Sequence, residues 1–160
     1  MAAVIEFRLT GGGANADPDA SLGGTMSSVE ISGTVMNNLF DHVDEDEATP
    51  GDIEYRAFDI YNSGADQADD VTLWIDDETA SGDTAIDVGI DATATQELAD
   101  EDTAPDAPVV TFTHPTTEGA ALDCGDIAAS AAVRIFVRRT VGAAAVNHNN
   151  DLCGITVRFA

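Results

Sequence analysis

The stretch GDIEYRAFDIYNSGADQADDVTLWID, residues 51–76, decides the reading of the fold. In its first half Ile53, Tyr55, Ala57 and Tyr61 alternate with Glu54, Arg56, Phe58 and Ile60, so apolar side chains fall on both sides of an extended chain. Such a pattern belongs to a strand covered on both faces. The polar run NSGADQADD supplies a turn, after which Val71, Leu73 and Ile75 alternate with Thr72, Trp74 and Asp76 in a second strand. Arg56, set among apolar neighbours, must find an acceptor.

The same period of two recurs outward from this stretch. AVIEFRL opens the chain as a strand, AIDVGID at 85–91 is another, and a short one is expected at Val109–Phe112. The clearest are late: AAVRIFVRRTV sets Val133, Ile135 and Val137 against Arg134, Phe136 and Arg138, and CGITVRF sets Ile155, Val157 and Phe159 against Thr156 and Arg158. Val29, Ile31, Val35 and Leu39 mark shorter elements, and residues 94–101 are a weak helix candidate. Seven to nine short strands with turns between them predict an all-β fold, a single antiparallel β-sandwich of Ig-like or jelly-roll-like type over residues 1–160. A chain of 160 residues buries roughly 70% of its unfolded surface, enough for a core without metals. Residues 10–28, TGGGANADPDASLGGTMSS, are too poor in apolar side chains to order alone and read as an extended N-terminal loop or flexible arm.

Thirty acidic residues against six basic ones give a formal net charge of −24. That field repels phosphates and anionic lipid head groups, so neither nucleic acid nor a membrane is expected as a partner. All six cations are arginine, and aspartate outnumbers glutamate by 21 to 9. A carboxylate coat without lysine suits saline water, where screening relaxes self-repulsion. The first residues lack the basic start and apolar run of a signal peptide, and synthesis in a cytoplasm without a secretion signal is expected. Cys124 and Cys153 form no CxxC pair, leaving one disulfide or two buried thiols.

Five of the arginines fall in expected strands while the acids crowd the loops. Arg56, Arg134 and Arg158 are therefore expected to make structural salt bridges to loop carboxylates. Arg138 and Arg139 are adjacent, point to opposite faces and are candidates for partner binding. Leu22 and Met26, the large apolar residues of the 10–28 segment, are candidates for the same role.

Candidate chemistry is sparse. In DHVDEDEATPGD the oxygens of Asp41, Asp44, Asp46 and Asp52 are the best calcium candidates, but the run lacks the glycine and terminal glutamate of an EF-hand loop. His42, His114 and His148 are isolated, Ser63 and Ser130 lack a nucleophile turn, and TGGGANA is no phosphate loop. No enzyme and no cofactor are expected.

Five segments carry a family resemblance: NADPDASLGG (15–24), GDIEYRAFDIYNSG (51–64), VTLWI (71–75), FVRRTV (136–141) and NNDLCGITVRF (149–159). In this order the chain resembles the capsid decoration, or cement, proteins and related small virion structural proteins of tailed bacteriophages, which have Ig-like or other β-sandwich domains. The resemblance implies a non-enzymatic virion protein on the capsid surface. It would bind the major capsid protein and bridge neighbouring subunits, as a homo-oligomer on the particle. The alternative it implies is a tail, neck or fibre component with an Ig-like binding module. An arm of about 19 residues could span about 60 Å and reach an adjacent subunit.

Overall fold

The structure, a computed structural model, describes residues 2–34, 37–79, 83–107, 109–146 and 152–160. Val35 and His148, singled out from the sequence, lie outside the described residues. The strands are β1 (Ile5–Leu9), β2 (Asp52–Asn62), β3 (Ala68–Glu78), β4 (Thr84–Asp91), β5 (Leu122–Ile127), β6 (Ala132–Val141) and β7 (Cys153–Arg158). They form two antiparallel sheets, in the orders β1-β2-β6-β4 and β5-β3-β7. This is the expected β-sandwich. Its four-plus-three count matches an Ig constant-type domain, whereas β3 holds the centre of the second sheet, where Ig order places the sixth strand.

The 51–76 stretch is where the chain passes between sheets. β2 and β3 do not pair; the turn carries the chain from one layer to the other. Asn62 closes that arch: its side-chain oxygen accepts from the Val4 (3.2 Å) and Gly64 (3.0 Å) amides, and its amide donates to the carbonyls of Asp66 (2.8 Å) and Ile127 (2.9 Å). Every bonding position of this buried amide is filled, tying the N-terminus and both sheets to one side chain.

Between the sheets, Phe58, Ile60, Ile135, Val137 and Val88 meet Val71, Leu73 and Ile127. The other face of the four-stranded sheet is also covered. Tyr55, Ala57 and Phe136 pack under Leu98 and Val110, with Leu22 and Phe112 at the margin. Residues Glu54 to Ile60 are consequently buried without interruption, as the two-sided apolar pattern of β2 requires.

Several local expectations change. Residues 109–112 form no strand; this segment crosses the sheet and is held by one bridge, Thr113 to Val88. Residues 94–101 are not helical, because buried Asp91 gathers them into a turn by accepting from the Thr93 (2.9 Å), Thr95 (3.2 Å) and Gln96 (3.1 Å) amides. Residues 27–31 lie along the outer edge of β1 without becoming a strand. Helix α1 (Glu45–Ala48) occupies part of the acidic run, started by an Asp44 capping box.

The cysteines are not bonded to each other. Cys124 is on β5 beside Val71 and Thr72 of β3 and Cys153 is on β7 opposite Glu78, so two strand spacings of about 10 Å in all and about 20 Å along the strands separate them, beyond disulfide reach. Burial, reinforced by Asp123, pushes the Cys124 thiol up to about 12.

Candidate functional site

Residues 10–28 do not form a free arm. The glycine-rich start doubles back: Gly11 N–H donates to the Gly23 carbonyl (2.8 Å) and Gly12 N–H to that of Thr25 (3.1 Å). Gly11 has φ +88° and a Cβ there would lie 2.1 Å from the Ala20 oxygen, so glycine is required for a tight closure. Thr10, Ser21 and Ser27 are buried, and the Ser21 hydroxyl donates to the Ala57 carbonyl (2.6 Å). Beyond the end of β1 this loop and the segment around Glu101 share the free edge of β2: the Ser21 carbonyl accepts from Ala57 N–H (2.7 Å) and the Glu101 carbonyl from Tyr55 N–H (2.8 Å). Backbone bonds and short polar side chains provide the order that apolar burial could not. Leu22 packs at the margin of the Tyr55 cluster and Met26 is half-buried, so each keeps only part of its side chain at the surface.

The arginines assemble into clasps on both faces of the four-stranded sheet. On the inner face the register sets Arg139 of β6 opposite Glu54 of β2, with Arg56 two residues along. Arg139 pairs with Glu54, donates to the Asp41 carbonyl (2.6 Å) and carboxylate (3.1 Å), and has Glu47 at 3.6 Å. Arg56 pairs with Glu101 and has Asp19 at 3.7 Å. Phe40 lies against both guanidiniums, 4.9 Å from Arg139 and 5.5 Å from Arg56. Phe40 and α1 are thereby strapped across the end of the sandwich.

On the outer face the pairs run in rows. Arg134 makes a buried fork to Asp59 (3.0 and 2.9 Å) and donates to the Ala94 carbonyl (3.3 Å). Arg138 holds Asp87 (3.1 and 2.6 Å) beneath Phe112, whose ring centre is 5.0 Å away. Arg8 pairs with Glu6 (2.7 Å), and Arg158 with Glu118 at the surface.

This arrangement corrects the site reading for Arg139. The adjacent arginines do point to opposite faces, but both faces are covered, and Arg139 is 6% exposed within its own carboxylate cage. Arg138 is partly exposed and already bound to Asp87. Arg56 and Arg134 hold loops as structural pairs, whereas Arg158–Glu118 is an exposed contact of at most about 1 kcal/mol.

The calcium candidates do not converge. Asp44 caps α1, Asp52 bonds its neighbour's amide, and Asp46 sits in the first turn of α1. The carboxylates that do meet are Asp41, Glu47 and Glu54, and the space among them holds the Arg139 guanidinium, which already supplies the positive charge. Burial is the main reason Glu54 is pushed up to about 7, opposed by Arg139; burial also raises Glu47 and Asp59. Burial pulls the Asp91 carboxyl upward too, but bonds from Thr93, Gln96 and Ala94 outweigh it and leave it below the usual range.

Two grooves open at the surface. One, of about 530 Å³, runs between Ile90–Ala94 and Asp123–Gly125; the other, of about 490 Å³, lies beside Ile53, Asp102 and Val141. The first sets the Cys124 thiol with Asp91 and Asp123, where burial and the Asp123 charge hold it protonated and poorly nucleophilic. His114, which the sequence left isolated, bridges Glu78 (3.1 Å) and Asp87 (3.9 Å) at the edge of β4. Among the described residues no helix is long and apolar enough to cross a membrane. Comparison with protein-family models, with curated proteins and with solved structures finds no match to this chain.

Proposed function

We propose that this chain is a non-enzymatic virion structural protein that binds the outside of an assembled capsid of a tailed phage and stabilises it by bridging neighbouring subunits of the major capsid protein. The observation that carries this reading is the allocation of charge. Five of the six guanidiniums are held against carboxylates of the same chain with little or partial exposure, and only Arg158, paired with Glu118, stands mostly exposed, so the charge left to solvent is almost entirely acidic. A coat with that surface stays hydrated in brine and does not adhere to like particles. The loops that would otherwise be mobile are clasped to the sheet, giving a rigid body suited to bridging fixed positions on a shell.

Since residues 10–28 are docked, attachment must use the folded surface rather than a free arm. The contacting surface of the capsid protein is then neutral or basic, because an acidic one would be repelled. The test adds purified protein to shells that lack it, in about 2 M salt to keep screening near its limit. Co-sedimentation, with density repeated over the icosahedral shell on imaging, supports the reading. Density confined to a tail, neck or fibre favours the alternative location, and no association with any particle overturns both.

A further inference from the structure

The sandwich has four sheet edges, and three are protected. Residues 27–31 cover β1, with Leu9 N–H donating to Val29 (3.1 Å) and Ile31 N–H to Phe7 (2.8 Å). Thr113 bonds Val88 in both directions along β4 (2.9 Å each). β5 is blunted by a register shift, by Gly125 at φ +68° and by exposed Asp123 and Asp126. These are the devices that keep strand edges from pairing. Among the described residues no segment covers β7; the extra residue of its one register shift is Asp76 of β3 rather than a residue of its own, and its exposed charge is the cation Arg158. Among the described residues nothing bonds the outer side of Ile155 to Val157, and Leu152–Ala160 carries no acidic side chain in a chain of charge −24. Leu152 and Phe159 stand 51% and 37% exposed at its two ends.

We propose that the β7 edge pairs with β7 of a second copy, antiparallel about Thr156, joining two three-stranded sheets into one of six. The strand is self-complementary about that residue. Pairing Thr156 with Thr156 sets Ile155 against Val157 and Cys153 against Phe159 on the core-facing side, and Gly154 against Arg158 on the other. Ala160 N–H donates to Asp69 within the sheet, so alternation turns the amides of Ile155, Val157 and Phe159 outward, free to bond the second copy. Gly154 completes the match. A Cβ there would lie 3.0 Å from Asp76 Oδ1, so the absent side chain leaves that oxygen open to Arg158 arriving from the second copy, while Asp76 Oδ2 accepts from the Thr156 hydroxyl (2.6 Å). Acidic surfaces repel everywhere else, and this edge brings a cation against a carboxylate twice by symmetry. The inference concerns the chain alone and does not depend on the virion reading.

One short strand pair is a small interface, so the expected affinity is weak, about micromolar. Sedimentation equilibrium at about 100 µM chain in about 2 M salt should show dimer, and R158E, which alters an exposed side chain, should weaken it at least about tenfold. A direct readout is T156C under mild oxidation: a disulfide mapped between the two copies of position 156 is expected, with none from D123C on the protected β5 edge. Circular dichroism confirms that each variant folds. A wild-type monomer under these conditions overturns the proposal, including the case in which another protein supplies the strand. So does a dimer that neither R158E weakens nor T156C crosslinks.

Discussion

Replacing Arg139 by methionine tests whether the inner clasp holds the structure together. The change keeps an unbranched stem against Phe40 and removes the donors that serve Glu54 and Asp41. Glu54 is 1% exposed and its Oε1 has no partner even with Arg139 present, so losing the guanidinium leaves a buried charge uncompensated. Breaking a buried pair in this way costs about 3–5 kcal/mol. Glu54 can avoid part of that by taking up a proton. Its carboxyl is already raised from 4.5 to about 7, so its contribution to stability is fully present below about pH 4.5 and is lost as pH rises through about 7. In the wild type that interval corresponds to about 3 kcal/mol. Without Arg139 the folded value climbs further. The loss in the variant should therefore be about 3–5 kcal/mol near pH 8. Near pH 5, where the neutral acid forfeits only its hydrogen bond, it should fall to about 1–2 kcal/mol. Urea denaturation of both proteins at the two pH values, in the same high salt, reads the difference from the midpoints. Equal losses at both would refute the reasoning. So would failure of E54Q to recover most of the alkaline loss in the double variant.

Asn62→Ala should cost about 2–4 kcal/mol, since four bonded groups at the arch lose their partner, and calorimetry reads it directly. Gly89→Ala introduces a Cβ 2.8 Å from the Thr111 oxygen and from Val110 Cγ1. It should lower stability by about 1–3 kcal/mol and speed proteolysis near residues 109–113; unchanged cleavage would show that this segment is not held down by close approach. Calcium at about 5 mM should raise the melting temperature no more than matched ionic strength does, because Arg139 fills the acidic cluster, and a specific rise would refute that.

Strand alternation carried most of the fold: β2, β3, β4, β6 and β7 lie where period two puts them. β5 was not legible, because LDCGDI interleaves aspartate and glycine with its few apolar residues and resembles a turn. Of the two readings of residues 10–28, a loop and a flexible arm, the loop stands, and its order was missed for a related reason. Apolar content predicts order only when order comes from burial, and here it comes from backbone bonds and from glycines at closures no other residue could make. The clasps were legible on the cationic side alone. Each strand arginine announced a need for an acceptor, but the carboxylates that answer Arg56, Arg134 and Arg139 lie 45, 75 and 85 residues away, and nothing local distinguishes them among thirty. The pairing of Arg139 with Glu54 required the β2–β6 register, which pattern alone does not fix.

The same allocation of charge predicts how the molecule responds to salt. Screening acts on exposed charges and little on buried ones. The pairs Arg134–Asp59 and Arg139–Glu54 are buried and should persist in brine, whereas Arg158–Glu118, 66% and 52% exposed, should dissolve. A guanidinium serves this division better than an ammonium, because its fork can hold both oxygens of Asp59 in a dry site. Added salt therefore does three things together: it relieves repulsion within each chain, lowers the barrier between two chains of charge −24, and frees Arg158 to cross the β7 edge. Stability and self-association should rise together between about 0.1 and 2 M salt, with most of the change complete once the Debye length falls to about 3 Å. A sedimentation series across that range separates this account from simple ion pairing between chains. Ion pairing as the driving force would make association strongest at low salt, and that result would overturn the account.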